Sequence, residues 1–252
     1  MTRNRSILVL IAILAFGAGG YLAYDNVLRG DAAAPRALPS TAPSAAATSA
    51  AATPGSSDAP GTEPSTAAVN GAVAGTWTAA EGSQAGYRVR ERLANLDAES
   101  DAVGRTSDVT GSITVVETAE GAQLTAGDIA IDTTTITSDE DRRDNRLRTE
   151  GLQTDQFPTA TFTLTQPVDV PAAALAGTAT DLTLVGDLTV HGVTKSVEIP
   201  AQAQLSDGQV QVAGSLTFPL ADFEITAPNV GGFIISIADE GALEFLVVFA
   251  KA

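Results

Sequence analysis

The sequence predicts an all-β fold for most of the chain. The expected architecture is an antiparallel β-barrel of eight or so strands with one short helix, preceded by an N-terminal transmembrane helix and a disordered linker. Three observations lead to this prediction: an uncharged stretch of 19 residues near the N-terminus, a following stretch dominated by small residues, and a recurring two-residue alternation of apolar and polar side chains after residue 76. The corresponding boundaries are 1–30, 31–75 and 76–252.

The first segment has the length of a membrane span. Residues 6–24 carry no charge, and about 20 apolar residues cross a bilayer core as a helix. Arg3 and Arg5 precede the span, and Tyr21 and Tyr24 lie at its far end, where aromatic rings favour the interface. These features predict a cytoplasmic N-terminal tip, a single-pass protein of the cell membrane and an extracytoplasmic C-terminal domain. A cleaved signal peptide, cut within residues 30–34, stays open as the alternative, and it also exports the domain.

The second segment has too few large apolar side chains to fold. Ala, Pro, Ser, Thr and Gly make up 37 of the 45 residues in 31–75, and the only large aliphatic residues are Leu38, Val69 and Val73. Such a composition cannot bury enough surface to offset the entropy of ordering. We therefore expect a disordered tether between the membrane and the third segment.

Composition excludes several functions for the third segment. The chain has 14 Lys+Arg, 30 Asp+Glu and a formal net charge of −16, which argues against a nucleic-acid partner because phosphate binding needs a basic face. It has no Cys and one His, so disulfides, thiolate sites and a zinc site of three or four ligands are not expected. No metal and no cofactor is predicted.

Period-2 alternation predicts strands throughout the third segment. The clearest stretches are 157–166, 182–190, 197–205, 210–218 and 243–249, with weaker alternation around 87–93 and 109–115. Between Leu124 and Thr133 the parity switches at Ala126 and Gly127, which predicts a bulge. One apolar and one polar face per strand is typical of an antiparallel sheet, and closing that sheet into a barrel removes its exposed edges.

The apolar parity of these strands supplies the candidate ligand-binding residues. Residues of one parity share a face, so we expect the following side chains to line the barrel interior: Phe162, Leu164, Leu184, Leu188, Val212, Leu216, Phe218, Phe245 and Val247. Small inward residues are expected to leave room beside the phenylalanines: Ala160, Gly186, Ala201, Ala203 and Gly214. The alternative is that the same residues pack a solid core, since an eight-stranded barrel can be filled or hold one ligand.

One charged stretch, 138–151, predicts the short helix. Ser138 is the expected N-cap and Gly151 the C-terminal stop. Two favourable i,i+4 pairs are expected, Asp139–Arg143 and Asp144–Arg148. Because its apolar content is low, we expect this helix to lie across a barrel end.

Nothing in the sequence indicates catalysis. His191 lies in the stretch GDLTVHGVTKSV between two predicted strands, where His-Gly is typical of a turn. No G-x-S-x-G motif accompanies it. The acids at 139, 141 and 150 lack calcium-loop spacing. A carboxylate pair for glycoside hydrolysis stays open, but no two acids are singled out. The protein is predicted not to be an enzyme.

Several motifs together resemble the YceI-like family over Thr76 to Lys251. The stretch IDTTTITSDEDRRDNRLRTEGLQTDQFPTATFTL is similar to the family's helix-bearing middle, GDLTVHGVTKSVEIP to its hairpin and FPLADFEI to its penultimate motif. Near the start, Gly86-Tyr87-Arg88-Val89-Arg90 stands where better-known members have Ser-His. The resemblance implies an extended eight-stranded barrel of lipocalin type in an exported protein, with some members holding a polyisoprenoid or similar lipid along the barrel axis.

Three functional hypotheses follow. The first is a membrane-tethered, extracytoplasmic lipid-binding protein whose partners are an apolar lipid or isoprenoid and, through the N-terminal helix, the membrane. The second is a non-carrier envelope stress or adhesion module with a solid barrel core. An unrecognised hydrolase or isomerase has the least support.

Overall fold

The structure, a computed structural model, describes residues 33–38, 73–93, 99–227 and 234–252. The predicted span at 6–24 and most of the predicted linker lie outside these ranges. In the part of the chain that is described, no helix has both the length and the apolar character needed to cross a bilayer.

Eleven antiparallel strands make up the described sheet. Their bounds are β1 Gly75–Ala79, β2 Gln84–Leu93, β3 Glu99–Thr106, β4 Val109–Thr118, β5 Gly121–Asp132, β6 Thr159–Leu164, β7 Val168–Pro171, β8 Thr180–Val190, β9 Val193–Ser206, β10 Gln209–Pro219 and β11 Ile234–Lys251. Pairing runs β1–β4–β5–β6–β8–β9–β10–β11, and β11 pairs again with β1. The sheet is therefore a closed barrel.

The eleven strands occupy eight positions because three barrel strands are interrupted. Consecutive β1 and β2 both pair with β11, and β6 and β7 both pair with β5. In the same way β3 and β4 are consecutive in the chain and together form one barrel position, because β3 pairs with β2 and β4 pairs with β1. The predicted all-β, eight-stranded antiparallel barrel is confirmed.

The predicted strand faces and bulge are also confirmed. Leu184 and Leu188 of β8 and Ile199 of β9 share the interior, and all three belong to one buried apolar cluster. In the β4–β5 pairing, Thr114 opposes Ala126 and the next residue, Val115, opposes Leu124, so one extra residue stands in β5 beside the predicted parity switch.

The helical segments lie between β5 and β6, between β7 and β8, and after β10. A 3-10 turn at Thr133–Thr135 leads to helix α1 at Asp141–Arg146, which continues as a π-helical turn at Leu147–Gly151. A single-turn helix α2 spans Ala172–Leu175, and a 3-10 turn spans Leu220–Phe223.

The start of α1 differs from the prediction. Glu140 occupies the N-cap position, and the Ser138 hydroxyl does not cap the helix. Instead the buried Asp144 carboxylate accepts hydrogen bonds from the Ser138 backbone N–H at 2.9 Å and from its hydroxyl at 2.7 Å. That carboxylate is consequently turned away from Arg148, whose guanidinium donates to Asn145. The Asp139–Arg143 ion pair is present as predicted.

Two short pieces of the predicted linker, 33–38 and 73–75, have described positions. Residues 33–38 lie over the outside of the barrel, belong to no helix or strand, and bury Leu38, which has 9% of its surface exposed. Farther along, Val73 is buried and its carbonyl accepts a 2.9 Å hydrogen bond from the indole N–H of Trp77.

Candidate apolar ligand site

The interior of the barrel contains a narrow apolar cavity of about 80 Å³. Side chains from β4, β5, β6, β8, β9, β10 and β11 converge on it because period-2 alternation turns one face of each strand inward. Lining residues that the sequence did not single out include Ile113, Leu124, Ile129, Ile199 and Leu243. Because its lining is apolar, the group that this cavity suits is apolar as well.

A larger chamber of about 520 Å³ adjoins this cavity. Ile131 and Leu243 line both spaces and so form the boundary between them. The chamber is bounded by β2, β10 and β11 and is covered by α1 and its π-helical turn. Leu147 of that turn faces the chamber, as expected for a helix across a barrel end. The chamber volume is within the range of small-molecule sites.

The structure places most of the predicted lining residues around these spaces. Seven line the narrow cavity: Phe162, Leu164, Leu184, Leu188, Val212, Phe245 and Val247. Phe218 lines the chamber instead. Leu216 packs against the buried cluster and borders neither space.

Two glycines do not leave the room that the sequence suggested. The Phe162 ring lies over Gly186, and the Phe245 ring lies over Gly214. The expectation of empty space beside these phenylalanines is therefore wrong at both positions. The rings use the space that the glycines leave, and this is one reason that the cavity is narrow.

Charged side chains line the chamber near α1. The guanidinium of Arg143 contacts the carboxylate of Glu91 at 2.9 Å and also pairs with Asp139. Glu91 points inward from β2 and only 4% of its surface is exposed. Arg142 and Arg146 of α1 line the same space. The chamber thus has an apolar lining on the barrel side and both positive and negative side chains near α1.

Tyr87 brings an unpartnered hydroxyl to the chamber. Its oxygen is buried and has no hydrogen-bond partner in the described structure. Burial raises the pKa of Tyr87 to about 12, with smaller contributions from nearby charges, among which Arg143 lowers it and Asp144 raises it. The hydroxyl is protonated at neutral pH, so its O–H is an unused hydrogen-bond donor beside the chamber.

The sequence interpretation did not include Tyr87, Glu91 or Arg143 among the site residues. A signal was present, because Glu91 has the same parity as Tyr87 and Val89 and so places a carboxylate on an otherwise apolar face. A charged residue at such a position is costly to bury without a partner. That partner, Arg143, is 52 residues away along the chain and could not be identified from spacing.

His191 occupies a tight hairpin turn, as its sequence context predicts. Val190 pairs with Val193, and the two residues between them have positive φ, 52° at His191 and 75° at Gly192. The His191 ring lies 4.5 Å from the Phe157 ring, and its Nδ1 is 3.2 Å from the Phe223 carbonyl oxygen. Within the described ranges, no three His, Cys, Asp or Glu side chains are grouped so as to hold a metal ion.

The closed antiparallel barrel, its apolar interior cavity and its helix-covered chamber define an all-β, eight-stranded barrel domain. The family model of the YceI-like domain matches residues 77–249. The chain belongs to the YceI-like family.

Curated relatives match part of the domain. A UPF0312 protein of Shewanella baltica (strain OS185) is 32% identical over 133 residues, covering 49% of this chain and 63% of that protein. A UPF0312 protein of Vibrio vulnificus (strain YJ016) is 29% identical over 113 residues, covering 42% of this chain and 56% of that protein. The chain therefore spans less than two thirds of the length of these relatives.

Solved structures share the fold. A polyisoprenoid binding domain from Saccharophagus degradans, implicated in plant cell wall breakdown, aligns with a TM-score of 0.54 at 20% identity and covers 70% of this chain and 98% of its own. BcnA of Burkholderia cenocepacia aligns with a TM-score of 0.50 at 14% identity, covering 66% and 95%. At these identities the likeness concerns the barrel architecture.

Proposed function

We propose that this protein binds a polyisoprenoid or similar long apolar chain inside its barrel. The observation that carries the proposal is the apolar cavity, which shares Ile131 and Leu243 with a wider chamber. A slender hydrocarbon tail fits the cavity chemically, because apolar side chains surround it. The barrel fold that the chain shares with a domain described as polyisoprenoid binding supports the same ligand class.

The wider chamber is the proposed place for the polar end of the ligand. The Tyr87 hydroxyl is buried beside the chamber without a partner, and a buried donor gains free energy when an acceptor reaches it. The neighbouring Arg143 guanidinium is already paired with Glu91 and Asp139. A small uncharged group such as a hydroxyl or carbonyl satisfies Tyr87 without requiring that ion pair to break.

We also propose that the domain is tethered to the cell membrane and faces the extracytoplasmic side. The support is the uncharged stretch 6–24 with Arg3 and Arg5 before it. A tether would keep the barrel near the bilayer, where long apolar lipids reside. In this proposal the domain acts by binding and not by catalysis, and its one histidine serves the turn between β8 and β9.

A pair of leucine substitutions on β5 tests the ligand site. Gly127 faces the narrow cavity, whereas its neighbour Ala126 is exposed on the outside. The full chain in detergent is incubated with a long-chain polyprenol, and bound polyprenol is measured by native mass spectrometry. Gly127→Leu places side-chain bulk where the tail would lie. If the tail then overpacks the site by about 1–3 kcal/mol, the affinity for polyprenol should fall by roughly tenfold or more. Ala126→Leu should bind as the unaltered protein does.

A second comparison tests the polar end. Tyr87→Phe removes only the hydroxyl, so its polyprenol affinity should fall by about two- to tenfold, the worth of one hydrogen bond. Squalene, a hydrocarbon of the same class without a hydroxyl, should bind both proteins equally. Equal losses for the two ligands would contradict the role given to Tyr87.

The competing hypothesis is a non-carrier envelope module with a filled barrel. It draws on the small size of the inner cavity and on the Phe162 ring over Gly186. It predicts that the unaltered protein binds neither polyprenol nor squalene. That result, or equal binding by the Gly127→Leu and Ala126→Leu variants, would overturn the proposed lipid site.

A further inference from the structure

We infer that residues 33–38 form a strap that docks on the outside of the barrel and shortens the connection between the N-terminal segment and the barrel domain. The strap is the sequence Ala-Ala-Pro-Arg-Ala-Leu. It crosses the outer face of the barrel near β2, β3 and β11, and reaches the face formed by β8, β9 and β10. This surface lies outside the proposed lipid site.

The receptor for the first half of the strap is a buried charge cluster on the outer face. Glu244 of β11 pairs with Arg88 at 2.5 Å and with Arg105 at 3.3 Å, and only 5% of its side chain is exposed. In the strand register, Glu244 and Arg105 both lie opposite Gly86. Because Gly86 has no side chain, the carboxylate and the guanidinium can meet across it.

Each arginine of this cluster also donates to the strap backbone. One N–H of Arg88 reaches the Ala33 carbonyl oxygen at 2.5 Å, and one N–H of Arg105 reaches the Ala34 carbonyl oxygen at 2.6 Å. Hydrogen bonds from a charged donor are stronger than those between neutral groups. The cluster thus binds the main chain of the strap. Arg88 also donates to Glu244 and to Asp101, and the nitrogen of Arg105 that reaches Ala34 also reaches Glu244 at 3.3 Å.

The second half of the strap is held by apolar and side-chain contacts. Arg36 donates a hydrogen bond to Gln84 of β2. Arg36 and Ala37 line a groove together with Gly214 and Ser215 of β10. Ala213 between β9 and β11 points outward by parity, yet only 4% of its surface is exposed. Ala213 lines the same groove as Arg36 and Ala37, which places it beside the strap.

The composition of the strap suits an extended docked form. Pro35 fixes its own φ and disfavours a helical conformation at Ala34, so less freedom is lost when the segment docks. Leu38 is one of three large aliphatic residues in the stretch 31–75, and it is the one buried at the end of the strap. The small alanines let the main chain approach the arginines closely.

Docking changes the reach of the tether. If the span ends at Tyr24, eight residues separate it from Ala33, which extend over at most about 29 Å. Without docking, 48 residues lie between Tyr24 and Val73. This consequence rests on the proposed membrane span, whereas the strap itself rests only on its contacts with the barrel.

Trypsin tests the strap directly, because Arg29 and Arg36 are the two basic residues between the predicted span and Val73. The full chain in detergent is digested briefly, and fragments beginning at Gly30 and at Ala37 are quantified by mass spectrometry. Cleavage after Arg36 should be at least about tenfold slower than cleavage after Arg29, since proteolysis follows the population of the open form.

Two variants weaken the barrel surface on which the strap docks and leave the cleaved sequence unaltered. Ala213→Asp places a charge under the strap, and Arg105→Met removes the donor to Ala34 while Arg88 still pairs with Glu244. Both should raise the rate after Arg36 towards the rate after Arg29. The control is Ala126→Asp, the same change on an exposed outer position of β5, and it should leave the protection intact.

Three results would overturn the inference: equal cleavage after both arginines in the unaltered protein, equal protection in all four proteins, or protection that disappears on dilution. The last result would show that the strap binds a second copy of the chain. Polyprenol binding is measured separately, so a failure of the lipid proposal leaves this test unaffected.

Discussion

The Phe162 ring lies directly against the backbone of Gly186. A Cβ atom on residue 186 would stand 2.5 Å from Cζ of that ring and 2.4 Å from the carbonyl oxygen of Thr163. The ring could rotate away from such an atom, but the carbonyl belongs to the β6–β8 ladder and can move only with its strand. The glycine is therefore required by the close approach of two neighbours.

Gly186→Ala should consequently destabilise the barrel. We expect a loss of about 1–3 kcal/mol in the free energy of unfolding, the usual cost of overpacking a core. Gly127→Ala is the matched control, because a Cβ there would meet Ile113 at 3.4 Å and Leu164 at 3.7 Å, which are ordinary contacts. Denaturant unfolding of both variants checks the prediction. Similar stabilities for the two would show that the contact at Gly186 relaxes freely.

This contact also marks the limit of what strand parity can predict. Parity gives the direction of a side chain, and it assigned Phe162, Leu184 and Leu188 to the interior correctly. It gives no distance between neighbouring strands, so it could not tell an empty space at Gly186 from one filled by a ring. The width of the cavity depends on such distances and emerged only with the structure.

Long-range pairing was the second feature that sequence could not supply. The helix in 138–151 was predictable from local charge, although Ser138 does not cap it, and Asp139–Arg143 was found at the expected spacing. The pairing of Arg143 with Glu91 and the docking of residues 33–38 join segments far apart in the chain. Neither leaves a periodic pattern, because each depends on where the closed barrel brings two surfaces together.

The Glu91–Arg143 pair should show strong coupling. Glu91 is buried and Arg143 is partly buried, so removing one partner leaves a poorly solvated charge. Arg143→Met should lower the free energy of unfolding by on the order of 2 kcal/mol, and Glu91→Gln in the same protein should restore part of this loss. A double-mutant cycle measured by denaturant unfolding gives the coupling.

Arg142→Met is the control for that cycle, because Arg142 is exposed on the same helix. It should change the free energy of unfolding by less than about 0.5 kcal/mol. A coupling energy near zero between positions 91 and 143 would contradict a stabilising role for this ion pair between β2 and α1.

Asp144 should stabilise the entry into α1. Its carboxylate accepts both the backbone N–H and the hydroxyl of Ser138, and it is buried. Asp144→Ala leaves that N–H without its acceptor, so we expect a loss of about 1–3 kcal/mol. Asp141→Ala, on an exposed residue at the first position of the same helix, should cost only a few tenths of a kcal/mol. Thermal or denaturant unfolding compares the two variants. Equal losses would contradict a stabilising role for the hydrogen bonds between Asp144 and Ser138.

The buried hydroxyl of Tyr87 should make the stability of the barrel fall at alkaline pH. Its pKa is raised to about 12 in the folded protein, against about 10 for a tyrosine in an unfolded chain. Between these values the unfolded chain releases the proton while the folded protein retains it, so the free energy of unfolding decreases as the pH rises. The expected decrease at pH 11, relative to neutral pH, is on the order of 1 kcal/mol.

Tyr87→Phe isolates this effect from other groups that titrate in the same range. The difference in the free energy of unfolding between the unaltered protein and Tyr87→Phe should be constant up to about pH 9 and should then shift in favour of the variant. The difference in tyrosinate absorbance between the two folded proteins should give the same raised pKa. A midpoint near the ordinary tyrosine value, with a constant stability difference, would mean that water reaches the hydroxyl and that the chamber does not shield Tyr87.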